Sequence, residues 1–430
     1  MDIEKNKYST KSLPLLIIVH CLAFGAFATN GKNPAIGVLL ACSLFFLAVY
    51  TDDLIYAIPI VLIGNDGLGT VFLGKIAFGW FALGLVIIER LFKRKYKVTI
   101  SWVYKFGILV LYTLFLYAVQ ETILSTIIKT FIYVVLVLHL DDYDRRKQID
   151  WECLFMWIAI SCFLTALHLV VLGGIPYAES SGKITSMRYG IVGTGTGDPN
   201  YGGLRLLIGV ICTFYCKRLK LLRIPMILIL IYAIVNTISV TTIFALLIII
   251  VCGILAEKGI SKKIKYIFGL VLGVIVIGYV FVTLPSELLP SGLDALGYRL
   301  NEKINFLWAG NYANATTGRS DLASEQLLYA MNRNAFNWLF GMEATPVPGF
   351  KLLSHNTFVD FIIHFGMIGG LLLFLRIVSR LKNVYLNSKE IENIRAGKLQ
   401  LKILFCFFSF GLSIYMDTTF ALWVFVLLLI

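Results

Sequence analysis

Long apolar runs recur from one end of the chain to the other, separated by short polar breaks. A helix of about 17 to 25 apolar residues matches the hydrocarbon core of a bilayer, which is about 30 Å thick. Of the 430 residues, 58% are hydrophobic and 15% are charged, whereas a soluble domain carries about 25% charged residues. The sequence therefore predicts an all-α, polytopic integral membrane protein.

We predict 12 to 14 transmembrane helices. Several apolar segments are too short to cross a bilayer alone, and the pairs 34–64 and 222–256 are alternatively broken or re-entrant helices. The first segment lacks a small-residue cleavage site and is predicted to be a spanning helix rather than a removed signal peptide. The predicted segments are 13–30, 34–50, 53–64, 68–90, 101–119, 122–140, 151–172, 201–216, 222–236, 238–256, 264–284, 357–378, 400–416 and 418–430.

The positive charge follows the predicted topology. The net charge is +13, but Lys and Arg cluster in alternate short loops, which is typical of loops that face the cytoplasm. These loops lie at 93–97, 145–147, 217–220, 262–265 and 376–402. A nucleic-acid surface would need the positive charge on one face beside stacking aromatics, so we expect no nucleic-acid partner.

Two segments are predicted to face outward. Residues 173–200 are rich in Gly and Ser, and residues 285–354 form a 70-residue loop with five basic and six acidic residues. Apolar residues recur at helical spacing in the long loop, once over 300–308 and again over 327–338, which predicts amphipathic helices over the outer membrane surface or, alternatively, a lid. The chain thus divides into N-terminal transmembrane helices (1–172), central helices with the first outward loop (173–284), the large periplasmic loop (285–354) and C-terminal transmembrane helices (355–430).

Several chemistries find no sequence support. All eight cysteines lie inside apolar runs and none forms Cys-x-x-Cys, so they are predicted to be small hydrophobic residues. There is no phosphate-binding Gly-x-x-x-x-Gly-Lys loop, and no His, Cys, Asp and Glu cluster has metal-ligand spacing. We therefore expect no metal and no cofactor.

His355 is the first candidate for chemistry, because it lies where the long polar loop enters an apolar helix. A neutral imidazole at such a junction can accept a proton from a hydroxyl, and Asn356 or Asp360 could set its tautomer. The alternative is a helix-capping role. Gly366 and Gly369 on the same helix are predicted to allow close helix packing.

Arginines on the outward side are the second candidate, because basic residues are scarce there. Arg188 and Arg319 lie in the outward segments, and Arg205 lies five residues after Asn200 at the start of an apolar span. An ionisable group at membrane depth is costly and indicates a functional site. Guanidinium groups match phosphate oxygens in pairs, which favours a lipid diphosphate as ligand. The alternative is that these side chains reach to lipid headgroups.

Together these residues resemble the superfamily of O-antigen polymerases and O-antigen ligases, which are bacterial membrane glycosyltransferases. His355-Asn356, nine residues, Gly366, two residues and Gly369 is similar to the family's His-[Asn/Ser/Gln]-x9-Gly-x-x-Gly motif. The preceding Arg319 and the segment Trp338 to Gly341 look like the family's arginine and Trp-Leu-Phe-Gly pattern.

The resemblance extends over about residues 180 to 380. Arg188, followed by Gly197 to Asn200, is similar to the family's arginine-to-Pro-Asn segment. One position departs from the pattern: Val240 stands where many relatives have arginine. That role is then unfilled or is passed to Arg205.

The resemblance implies a C-type glycosyltransferase fold in the bacterial inner membrane, with the active site on the periplasmic face. The donor would be an undecaprenyl-diphosphate-linked oligosaccharide, transferred with inversion and without a metal. His355 would be the base, and Arg188 and Arg319 would hold the diphosphate. A chain-length regulator and membrane lipid are the further partners that this implies.

We expect a polysaccharide repeat-unit polymerase, which joins lipid-linked oligosaccharides into O-antigen or capsule. The first alternative is an O-antigen ligase that transfers polymer to lipid A-core, because it needs the same donor chemistry. The second is a flippase for lipid-linked oligosaccharides, which would place its charges at the bilayer midplane. A structural scaffold would leave His355 and the outward arginines without a role.

Overall fold

A computed structural model describes the protein at residues 12–29, 33–51, 53–63, isolated helical positions between 81 and 118, 149–172, 175–177, 188–190, 199–256, 259–272 (except 262 and 270), 291–341 (except 317), 347, 349, 350, 354–386 and 392–412. The described residues are overwhelmingly helical, as the apolar pattern predicts. The predicted spans at 68–90, 101–119 and 122–140 lie almost wholly outside the described residues, as does the last one, at 418–430.

Twelve helices have bounds in the described part of the chain. They are α1 (Leu13–Ala28), α2 (Pro34–Tyr50), α3 (Trp151–Leu172), α4 (Pro199–Tyr215), α5 (Arg223–Asn236), α6 (Val240–Ala256), α7 (Ser291–Trp308), α8 (Tyr312–Ala315), α9 (Arg319–Met331), α10 (Ala335–Phe340), α11 (Thr357–Leu386) and α12 (Glu392–Ser409). Two short strands, β1 (Ile175–Tyr177) and β2 (Arg188–Gly190), pair antiparallel within the first outward segment. This strand pair was not predicted.

Several boundaries differ from the sequence prediction. The segment 53–64 is not a separate span, because it forms two 3-10 turns, Leu54–Tyr56 and Ile58–Leu62, and eight residues of 3-10 helix extend only about 16 Å. The pair 34–64 therefore matches the broken-helix alternative. Helix α12 begins eight residues before the predicted 400–416 span, and α11 continues to Leu386. The pair 222–256 is broken, because Ile238, with φ +50°, interrupts the helix between α5 and α6.

The core of the bundle is α3, α4, α5 and α12, packed through small residues. Gly209 of α4 lies against α3, since a β-carbon built on it would be 2.6 Å from Cys162 Cβ. Gly397 of α12 lies equally close to Phe155 of α3, at 2.6 Å from its Cε2 atom. Small residues at these positions let the helix backbones approach closely.

The bundle has two distinct ends. At the basic end, Lys217 N donates to Glu152 Oε2 at 2.9 Å and Arg218 pairs with Asp150. Gly397 also lies against Tyr215 there, so α12 begins where α4 ends. The opposite end of the bundle therefore holds the start of α4 and the end of α12. It is called the site end below.

One helix of the described residues is long and apolar enough to cross a membrane. It is Trp151–Val171, with a mean hydropathy of 2.3. Five shorter apolar helices, each of 10 to 17 residues, accompany it: Leu13–Ala28, Pro34–Tyr50, Arg223–Asn236, Val240–Ile254 and Thr357–Leu371.

The described part of residues 285–354, called the outward segment after its predicted position, is mainly helical, with one break that the apolar spacing did not predict. Helix α9 ends at Met331 and α10 begins at Ala335, although the spacing predicted one continuous pattern over 327–338. Asn334 causes the restart, because its Oδ1 accepts a hydrogen bond from Asn337 N at 2.8 Å and so caps α10.

Candidate active site

His355 lies in a tight turn at the start of α11. Its φ is +55°, a left-handed conformation that is uncommon for a residue other than glycine. Ser354 Oγ closes the turn: it donates to Asn356 O at 2.9 Å and accepts from Asn356 N at 3.0 Å. His355 is partly exposed, although its Nδ1 atom is buried, whereas Ser354 beside it is fully buried. The turn thus holds His355 at the end of the bundle with access to its surroundings.

Asn356, not His355, caps α11. Its Oδ1 accepts hydrogen bonds from Phe358 N at 3.0 Å and Val359 N at 3.2 Å, the first free amides of the helix. His355 is therefore the residue before the cap, and the capping alternative for this histidine is wrong.

Asp360, in the first turn of α11, stabilises the same turn. Its side chain is 0% exposed, and its Oδ1 accepts a hydrogen bond from Ser354 N at 3.2 Å. A buried carboxylate is costly unless it is hydrogen-bonded, so this bond fixes the backbone on the amino side of His355. That Asp360 or Asn356 sets the imidazole tautomer stays a prediction.

The turn after α12 joins the elements of the site. Phe410, Gly411 and Leu412 follow the helix end, where backbone carbonyls lack helical partners. Asn356 Nδ2 donates to Phe410 O at 3.5 Å, and Thr357 Oγ1 donates to Leu412 O at 2.6 Å. The start of α11 is thereby fastened to the end of α12.

Arg319 is fastened to the same turn. Its Nη1 donates to Gly411 O at 3.0 Å, between the two carbonyls that α11 binds. Arg319 is the first residue of α9, after Gly318 with φ +74°, and its side chain is half-buried. The structure therefore brings together Arg319 and the turn of His355, which are 36 positions apart in sequence.

A buried polar chain lies at the start of α4. Ser239 Oγ donates to Asn200 Oδ1 at 2.7 Å, and Thr242 Oγ1 donates to Ser239 Oγ at 2.8 Å. A β-carbon on Gly203 would lie 1.9 Å from Thr242 Oγ1, so only glycine fits this contact. Asn200 thus joins α4 to the break between α5 and α6, at the site end.

The other two predicted arginines occupy different surroundings. Arg205 is 0% exposed and lies near Cys162 of α3, so it is an interior residue rather than one on an outward surface. Arg188 lies in β2, opposite Tyr177 in the strand pair, and β2 packs against α4. The backbone of Arg188 is therefore placed near the start of α4.

Gly366 and Gly369 lie farther along α11. Gly366 has φ +67° and ψ −178°, which breaks the helix within its described length. It contacts the outward segment at the end of α10, whereas a β-carbon on Gly369 would meet Phe365 of the same helix at 2.3 Å. The two glycines, which the sequence treats as a pair, have different neighbours.

The site also contains residues that the sequence did not indicate, and most of them contribute a hydroxyl or a backbone carbonyl. They are Ser239, Thr242, Ser354, Thr357 and the 410–412 turn. The polar dyad Ser354 and Thr357, flanking His355-Asn356 in an apolar context, was a usable signal. Nothing local marks the 410–412 turn, because its role depends on long-range contacts.

Among the described residues, no group of three or more His, Cys, Asp and Glu side chains could hold a metal ion. Protein-family models and curated proteins both give no match to the chain.

Proposed function

We propose that this protein is a membrane glycosyltransferase that polymerises lipid-linked oligosaccharide repeat units. One observation carries the proposal: Arg319 and the residues following His355 bind consecutive carbonyls of the 410–412 turn. That arrangement supports a diphosphate-binding cation and a proton acceptor working on one substrate. The family resemblance supplies the reaction class.

In the proposed reaction, the sugar hydroxyl of one lipid-linked unit attacks the anomeric carbon of another. His355 accepts the hydroxyl proton as the new carbon–oxygen bond forms. The bond between the anomeric carbon and the diphosphate oxygen breaks, and the lipid diphosphate leaves with that electron pair. Attack from the face opposite the leaving group inverts the anomeric configuration.

Arg319 stabilises the charge that grows on the leaving diphosphate. Arg188, whose strand packs against α4, is proposed as a second diphosphate ligand. Arg205 is wholly buried, so we assign it to the interior behind Asn200 rather than to direct contact with substrate. A metal-free, cofactor-free reaction is part of this proposal.

The proposal places the chain in the bacterial inner membrane as a multi-pass protein. Large apolar side chains are exposed on the outer surfaces of several helices, which suits lipid contact, among them Ile17, Leu39, Phe46, Ile224 and Leu228. The lysines and arginines of the basic end would face the cytoplasm. The site end would then face the periplasm, where lipid-linked oligosaccharides are presented.

Deletion of the gene tests the reaction class by what accumulates. Lipid A-core that bears a single repeat unit indicates a polymerase, and polymer retained on undecaprenyl diphosphate indicates a ligase. Unchanged surface glycans contradict both functions.

Complementation with His355→Ala tests the site. We expect membrane insertion at the wild-type level and no polymer, because the proton acceptor is lost. Asn332→Ala, an exposed position in the outward segment, is the matched control and should restore polymer. Wild-type polymer from the His355→Ala protein would refute the assignment of His355.

A further inference from the structure

Two glycines far apart in sequence form a reciprocal backbone contact. We infer that Gly341 and Gly366 are positioning residues: they lock the outward segment onto α11 and thereby hold Arg319 at the turn of His355. The positioning role rests on the proposed function. The contact between Gly341 and Gly366, here called the lock, is a structural feature that can be measured without an activity assay.

Each glycine lies where the other segment's backbone leaves no room for a side chain. A β-carbon on Gly366 would lie 2.1 Å from Leu339 O and 2.5 Å from Phe340 N. A β-carbon on Gly341 would lie 2.1 Å from His364 O and 2.9 Å from Gly366 N. The obstructing atoms are main-chain atoms, so no rotamer change can relieve the clash. Both glycines also have positive φ, +102° for Gly341 and +67° for Gly366, which favours glycine independently.

The end of α10 therefore fits into the break of α11. In a continuous α11, side chains would fill this position, whereas the non-helical φ and ψ of Gly366 interrupt the helix and make room for the backbone of α10. Apolar packing covers the contact on the side of the outward segment. Ala330, Val347 and Ile363 form a small buried cluster there, with Trp338 and Val359 packed against it.

The lock is at one end of a short chain of rigid elements that leads to the site. Gly341 ends α10, α10 packs on α11 and α9, and α9 begins with Arg319. Gly366 lies eleven residues after His355 on the helix that Asn356 caps. Besides the lock, Arg319 is connected to α11 by the hydrogen bonds of the 410–412 turn and by the small apolar cluster, and both are weaker constraints than interlocked backbones.

The expected consequence is catalytic rather than only structural. A misplacement of about 1 Å can lower an enzymatic rate on the order of 100-fold, so we expect Gly366→Ala and Gly341→Ala to lower kcat by about 10- to 100-fold. The KM for donor should change less, because Arg319 and the substrate-binding surface remain present. Gly310→Ala is the matched control: Gly310 lies in the same outward segment with φ +68°, but a β-carbon there meets nothing within 4 Å. This control also has a positive φ, but without the contact.

Pulsed electron paramagnetic resonance measures the lock directly. Spin labels on a keto-bearing amino acid at Ser324 of α9 and Leu371 of α11, both exposed, leave the native cysteines untouched. The wild type and Gly310→Ala should give one narrow distance distribution. Gly366→Ala and Gly341→Ala should give a shifted or bimodal one.

Three results would overturn the inference. A broad distribution in the wild type shows that no lock exists, and this measurement does not depend on a variant folding. An unshifted, narrow distribution in Gly366→Ala shows that the contact does not fix the segment. A shifted distribution with wild-type kcat shows a lock that does not position the site. If instead His355→Ala retains activity, the proposed function fails while the distance measurement still decides the lock.

Discussion

Replacing Arg319 with lysine separates charge from geometry at the proposed diphosphate site. The arginine donates from Nη1 to Gly411 O at 3.0 Å, and its planar guanidinium has a fork of donors that matches a phosphate in pairs. Lysine keeps the positive charge, but its three N–H groups diverge from a single nitrogen. One ammonium cannot bind the carbonyl and also present a coplanar pair of donors, so Arg319→Lys should retain attraction for the diphosphate and lose its orientation.

The structure sets the expected size of the effect. A hydrogen bond from a charged group contributes about 1.5 to 3 kcal/mol. If that energy holds the guanidinium in place in the transition state, its loss corresponds to about a 10- to 150-fold decrease in kcat/KM, since each 1.36 kcal/mol is a factor of about ten. Arg319→Ala should lower the rate further, because it also removes the charge.

The assay is the initial rate of transfer between lipid-linked repeat units by the purified protein in lipid nanodiscs. Arg333→Lys is the matched control, because Arg333 is an exposed arginine of the same outward segment that lies over the Tyr329 ring at 5.0 Å. We expect Arg333→Lys to transfer at the wild-type rate. A wild-type rate for Arg319→Lys, or an equal loss in both variants, would refute the argument that orientation at Gly411 matters.

Three further substitutions test the surroundings of the site. Thr357→Val removes the bond to Leu412 O at 2.6 Å. It should lower the free energy of unfolding by about 1 to 3 kcal/mol, and with it the melting temperature and the transfer rate. Thr316→Val loses an exposed hydroxyl-to-carbonyl bond and should change neither. Asn200→Ala removes the acceptor of the buried Ser239 hydroxyl, which keeps only its bonds from Thr242, and should cost about 1 to 3 kcal/mol of stability. The melting temperature should fall, and an unchanged value would contradict a stabilising role for this buried chain. Gly203→Ala should be destabilising by about 1 to 3 kcal/mol, whereas Gly269→Ala, with open space around it, should melt like the wild type.

The sequence predicted helices α1, α2 and α3 because their apolar runs are long and uninterrupted. Helices α1, α2 and α3 begin within two residues of the predicted segments, since composition alone decides such elements. At 53–64 the apolar segment forms 3-10 turns, which agrees with the broken-helix alternative rather than with a separate span, and at 332–334 the prediction was wrong because a capping asparagine restarts the helix. In both places a local backbone preference overrides the apolar spacing.

The site was predictable in its residue types but not in its assembly. His355 was identified from its position at a loop-to-helix junction, and that position is where the structure has it. The cap at Asn356 was weighed as a role for His355, because one sequence position cannot be distinguished from the next by spacing. The convergence of Arg319 on Gly411 spans 92 residues, and no local pattern encodes such a contact.

The carbonyls around Arg319 weaken the binding of a diphosphate, which indicates that the arginine is placed for catalysis rather than for affinity. The carbonyls after a helix end bear partial negative charge, so the 410–412 turn attracts the guanidinium but repels a phosphate. A site that only bound the lipid-linked donor substrate tightly would have a higher affinity if its arginine lay away from these carbonyls. Holding the arginine there lowers ground-state affinity but removes the need to reorient it when charge develops on the leaving diphosphate, which is the condition for lowering the barrier. We therefore expect Arg319 to contribute more to kcat than to KM, and an Arg319→Ala variant that raises KM with an unchanged kcat would show that the carbonyl turn has no part in catalysis.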